Sequence, residues 1–77
     1  MVLDLIIKKS DDGFTAEVPS LNGCESWAAK EDEVIDKIVE LAAFYLKIKN
    51  IKKIKLDKAR VSGNKHYYKL VFNKEGN

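Results

Sequence analysis

Leu3, Leu5 and Ile7 alternate with Val2, Asp4, Ile6 and Lys8, the two-residue period of a strand with unlike faces, and predict a strand over Val2 to Lys9. Ser10-Asp11-Asp12-Gly13 reads as a turn, because aspartates bond local amides and glycine accepts positive φ. Phe14, Ala16 and Val18 then alternate with Thr15 and Glu17, which predicts a second strand and a hairpin. Pro19 cannot donate to a ladder and marks the end of that strand. Asn22-Gly23 turns the chain again, and Cys24 to Ala28 predicts a short third strand.

From Lys30 to about Lys49 the period changes to that of a helix. At about 100° per residue, Val34, Ile35, Ile38, Val39, Leu41, Ala42, Tyr45, Leu46 and Ile48 cover about half the circumference. Asp36, Lys37, Glu40 and Lys47 fill the rest, and Phe44 breaks the division by standing between Lys37 and Glu40. Glu31, Asp32 and Glu33 at the start and Lys47, Lys49, Lys52 and Lys53 at the end complement the helix dipole. Ile51 to Ala59 predicts a strand with Ile54 and Leu56 inward and Lys53, Lys55 and Asp57 outward. Ser62-Gly63-Asn64 turns into a last strand, His66 to Asn73. A βββαββ order with one broad apolar helix face predicts a two-layer α+β domain, an antiparallel meander covered by one long crossover helix.

Composition adjusts this picture in a few places. At 77 residues the chain is one domain, small enough for oligomerisation to be a common second source of burial, and its single cysteine allows no internal disulfide. The N-terminal apolar run is broken by Asp4 and stopped by Lys8, unlike a secretion signal, and no stretch approaches a bilayer span. The expectation is a soluble, cytoplasmic protein that engages no membrane. A net charge of +2 is too small to identify a nucleic-acid binder. Abundant lysine and the absence of glutamine fit a thermophile.

The stretch Asp12-Gly13-Phe14, Ala16, Val18-Pro19, Leu21, Gly23-Cys24 and Ser26, followed by the helix, resembles the N-terminal domain of HicB-type antitoxins. The resemblance covers roughly residues 2–57, with a C-terminal strand extension at about 65–73, inside a single domain spanning 1–77. It makes Gly13, Phe14, Pro19, Leu21, Gly23 and Cys24 structural residues of the family signature. It implies a partial ribonuclease H-like fold: a three-stranded antiparallel meander, a crossover helix, and a fourth strand beside the first. It also implies a protein that masks a small RNA-cleaving toxin of the HicA type. Ser20 and Asn22 depart from the family pattern around the leucine, and Ala28 and Lys30 replace a glycine and a helix-capping threonine. No helix-turn-helix or ribbon-helix-helix segment follows, so the family's DNA binding is not carried over. The chain is most similar to small stand-alone members of the superfamily.

Each candidate site has a plainer alternative. Cys24 invites a nucleophile reading, but no base adjoins it and His66 is distant in sequence, so packing after a tight turn is favoured. One cysteine and one histidine fall short of a zinc set. Asp4 and Glu17, with Asp11 and Asp12 nearby, suggest a two-metal carboxylate site, yet strand alternation and turn chemistry account for them. The lysines of 47–58, with Tyr67 and Tyr68, suggest a phosphate-contacting surface; a charged edge strand explains them better. Phe44 is either an interface anchor, with Trp27 as a neighbour and Lys37 and Glu40 around it, or a residue covered by the C-terminal strand. The expectation is a non-enzymatic protein-binding module with no cofactor and no metal. Its partners would be a HicA-like toxin and a second copy of itself, a dimer being favoured. The alternative is a self-associating domain without a toxin partner.

Overall fold

The computed structural model describes residues 1–73, and these form one sheet and one helix. The strands are β1 (Val2–Ser10), β2 (Gly13–Glu17), β3 (Glu25–Ala28), β4 (Lys55–Ser62) and β5 (Lys65–Val71), with the helix α1 (Glu31–Leu46) between β3 and β4. All five strands are antiparallel to their neighbours, in the spatial order β3-β2-β1-β5-β4. The α+β, two-layer βββαββ arrangement is therefore the one the periodicities predict.

The alternation of β1 survives intact. Leu5 and Ile7 are buried on the helix side and Leu3 packs beside them, whereas Val2, Asp4, Ile6 and Lys8 face the other way. Ala16 from β2, Ala28 from β3, and Leu70 from β5 meet Val34, Ile38 and Ala42 of α1 in the main core. A smaller core of Ala43, Ile48 and Phe72 closes the end of the helix. Phe72 donates its N–H to the Met1 carbonyl at 3.0 Å, tying the two ends of the described chain together.

Strand order departs from what the family resemblance implies. The strand beside β1 is β5, and β4 lies outside it at the sheet's edge, running in the same direction as β1. The residues explain this. β5 contributes Tyr68 and Leu70 opposite Leu5 and Leu3, so it can fill an inner position. Lys55, Asp57, Lys58 and Arg60 make β4 a poor central strand and a well-protected edge. Gly63-Asn64 joins the two, with Gly63 at φ 60°.

Several boundaries also differ: β4 runs on to Ser62 rather than ending at Ala59, and β5 stops at Val71 rather than Asn73. Ile51 to Lys53 is a single 3₁₀ turn rather than the start of a strand. The Asn50 side chain accepts the Lys52 N–H at 3.1 Å and so nucleates that turn. The helix stops at Leu46 because Lys47 adopts a left-handed conformation, φ 59° and ψ 37°. Ile48 can then donate its N–H to the Ala43 carbonyl at 2.9 Å and fold back into the small core. A lysine pays a backbone penalty of about 1–2 kcal/mol at such a position, larger than glycine's entropic one. Lys47→Gly is expected to raise the unfolding free energy by about 0.5–1 kcal/mol, read as a higher urea midpoint at unchanged slope.

At the other end, Lys30 supplies no side-chain cap, as the missing threonine suggests. The Asp32 carboxylate accepts the Glu33 N–H at 3.0 Å, so one orphan amide of the first turn is satisfied nearby. Among the described residues no helix is long and apolar enough to cross a membrane.

Candidate functional site

The signature stretch folds into a tight frame around Cys24. Val18 donates its N–H to the Cys24 carbonyl, and Leu21 and Cys24 donate theirs to Val18 and Leu21, at 2.9–3.0 Å, which folds residues 18–24 into a compact loop. Cys24 lies at its base with 1% exposure, and that burial pushes its thiol pKa upward. A thiol so placed is packing, and its burial is nearly complete. Gly23, at φ 81°, lets this loop pass the Tyr45 hydroxyl closely. Pro19 is exposed just past β2, and Leu21 packs against the core. Phe14 is half-buried against the same core.

Gly13 is explained by Trp27. On β3, Trp27 stands opposite Thr15, so its side chain lies on the face of the sheet away from α1. A Cβ on Gly13 would sit 2.8 Å from the indole ring and 2.6 Å from the Ala28 carbonyl oxygen. The indole thus roofs the glycine of the first turn while remaining half-exposed itself.

The four residues named as an interface are not one patch. Phe44 is on α1 and is 80% exposed, its ring edge-on to Tyr45 with centroids 6.4 Å apart. The C-terminal strand does not cover it: Phe72 instead packs against Ala43 and Ile48. Trp27 belongs to the opposite side of the sheet. Lys37 connects the helix to β3 by donating from Nζ to the Trp27 carbonyl at 3.2 Å. Glu40 joins Asp36 on the rim of a groove of about 240 Å³ floored by Ile35, Val39, Ile51 and Leu56.

The proposed carboxylate set is also separated by the fold. Asp4 forms an ion pair with Lys69 across the β1–β5 ladder, while Asp12 accepts from the Ser10 hydroxyl at 3.0 Å in the turn at the far end of β1. Glu17 pairs with Ile6 across one ladder and with Glu25 across the other. The lysines of 47–58 run from the helix end through the 3₁₀ turn and along the edge strand. Of the two tyrosines, Tyr67 carries the Arg60 guanidinium 4.4 Å above its ring on the open face, and Tyr68 turns inward toward α1.

One polar cluster was invisible to periodicity. The Glu31 carboxylate, in the first turn of α1, accepts from His66 Nδ1 at 2.7 Å and from the Tyr68 hydroxyl at 3.1 Å. The side chains of His66 and Glu31 are 21% and 28% exposed. His66 and Tyr68 alternate with the core residue Leu70, and polar groups on a core-facing row need a partner. That row was the available signal; the dipole explanation of Glu31 concealed its second role. The cluster pins the start of the helix to β5. Burial, and then the Glu31 carboxylate, raise the Tyr68 pKa above its ordinary value of 10. A raised phenol pKa means stability that is complete below the unfolded value and is lost as pH climbs through the folded one. Tyr68→Phe is therefore expected to cost about 1 kcal/mol at neutral pH and to flatten the loss of stability above pH 10. Urea titrations across the alkaline range would show both.

With these positions fixed, comparison with known proteins gives a family. No family model and no solved structure matches the chain. Over 50 residues it is 36% identical to a UPF0150 protein of Archaeoglobus fulgidus, an alignment spanning 64% of this chain and 72% of the relative. The chain belongs to the UPF0150 family. That name attaches neither an activity nor a partner to the relative. For this UPF0150 chain it establishes kinship, and the surfaces above carry the functional reading.

Proposed function

We propose that this UPF0150 domain is a non-enzymatic, HicB-like module that binds and masks a small RNA-cleaving toxin of the HicA type. The observation that carries the reading is Phe44: a large aromatic, 80% exposed beside a second aromatic, on a helix face otherwise built for water. Aromatics concentrate in the centres of protein interfaces, where they bury much area at little entropic cost. Support also comes from the signature itself, whose glycines, proline and cysteine take frame-building positions like those the antitoxin resemblance assigns them. Asp36 and Glu40, with the apolar groove beside them, give the helix an acidic rim suited to a basic partner.

Masking would be steric and electrostatic, with the aromatic pair as anchor. Phe44→Asp is expected to weaken binding of a HicA-like protein encoded beside this chain by at least about tenfold, roughly 1.4 kcal/mol or more. Circular dichroism should show the fold unchanged. Equal affinity of the variant and the parent would remove Phe44 from the interface.

A further inference from the structure

We propose that the face of the sheet opposite α1 is a self-complementary surface on which a second copy of this chain stacks about a two-fold axis along β1. One row of residues crosses that face in register: Glu25 on β3, Glu17 on β2, Ile6 on β1, Tyr67 on β5 and Arg60 on β4. Its charge changes sign from one edge of the sheet to the other, with an apolar centre between. Rotation by 180° about β1 lays β2 and β3 over β5 and β4 of the second copy, so Glu25 and Glu17 meet Arg60 and Tyr67. Ile6, at the centre, meets its own mate. An isologous contact requires this self-matching of a single patch.

The surroundings agree with the row. The Arg60–Tyr67 stack stands up from one half of the face. Beside it a hollow of about 310 Å³ runs across the face, bordered by Ile6, Lys8, Thr15, Glu17, Glu25 and Lys65, and a second of about 350 Å³ adjoins the stack itself, between Asp4, Ile6, Arg60, Tyr67 and Lys69. The axis places the stack of each copy over the Glu17–Glu25 end of the first hollow of the other. Trp27, 49% exposed, and Val2, 57% exposed, supply further apolar area on the same face. Asp4, close to the axis, is already neutralised by Lys69. Lys8 lies two pairs along the ladder from Ile6, opposite Lys65, and the flexible stems of both can carry their ammonium groups to the rim. Antiparallel sheets stack about 10 Å apart with strands rotated by about 30°. Many open sheet faces simply meet water, but that leaves the segregation of charge along the row without a role.

The proposal does not rest on the toxin reading and uses a different surface. Its test is sedimentation equilibrium of the whole chain from micromolar to millimolar concentration. The parent chain is expected to reach dimer mass, and Glu25→Arg and Arg60→Glu are each expected to weaken association at least tenfold. Equal mixing of these two variants should restore it, because the mixed pair places opposite charges at both ends of the row. Glu25 and Arg60 are four strand spacings apart in one chain, about 19 Å, so recovery cannot arise within a monomer. Circular dichroism of each variant separates lost association from lost folding. A monomer at all concentrations, a dimer indifferent to both charge reversals, or one abolished by Phe44→Asp alone would each overturn the proposal.

Discussion

Ile38→Ala is expected to lower the unfolding free energy by about 3–4 kcal/mol, a large share of what so small a domain has to lose. Ile38 has no exposed surface and sits where α1 meets the sheet, among Leu5, Val34, Ala42 and Leu70. Removing three carbons there forfeits their transfer free energy and leaves a cavity that strands on one side and a helix on the other cannot both close. A chain of 77 residues has roughly 4–12 kcal/mol in total. The variant should therefore show a sharply lower denaturant midpoint and a measurable unfolded population at 37 °C. Ile51, 38% exposed in the 3₁₀ turn, is the control, and its alanine variant should cost under about 1 kcal/mol. Similar midpoints for the two variants would contradict the assignment of the core.

The second large effect is expected from Gly13→Ala, which should cost about 2–4 kcal/mol. Two penalties combine: φ of 153°, and a Cβ that would lie 2.6 Å from a backbone oxygen and 2.8 Å from the indole. The indole can swing away, but the Ala28 carbonyl is held by the sheet. Gly63 separates these causes. It has φ of 60° with nothing within 4 Å of an added Cβ, so Gly63→Ala should carry the conformational cost alone, about 1 kcal/mol. Because Trp27 is the one tryptophan, its fluorescence should shift in Gly13→Ala and stay constant in Gly63→Ala.

These two residues also show how unevenly the structure is written in the sequence. β1 and the helix are legible because period-two and period-3.6 patterns are local, and each needs only a handful of neighbouring residues to declare itself. The 3₁₀ turn is not: Ile51 and Ile54 suggest a strand by composition, and the Asn50 cap that decides otherwise is a single side-chain contact. Strand order is also hidden, since the pairing of β5 with β1 joins residues more than 50 positions apart. The face assigned to Trp27 follows only from register with β2, because four residues are too few to alternate convincingly.

Candidate sites followed the same division. Cys24 as packing could be read from its place after a turn, and it is almost fully buried. Phe44 could be singled out from the helical wheel alone, and it stands exposed. Its grouping with Trp27 could not be judged without knowing that the sheet lies between them. The Glu31–His66–Tyr68 cluster joins a helix start to the last strand, and the charge row on the open face spans five strands. Both depend on contacts that no single segment contains.

The binding role rests most directly on one titration: the purified chain against a HicA-like protein encoded beside it, with cleavage of a structured RNA by that protein followed in parallel. A saturable complex of fixed stoichiometry, with cleavage falling in proportion to the protein bound, is the predicted result. Cleavage that continues unchanged at a large excess of this chain, with no complex formed, would contradict it.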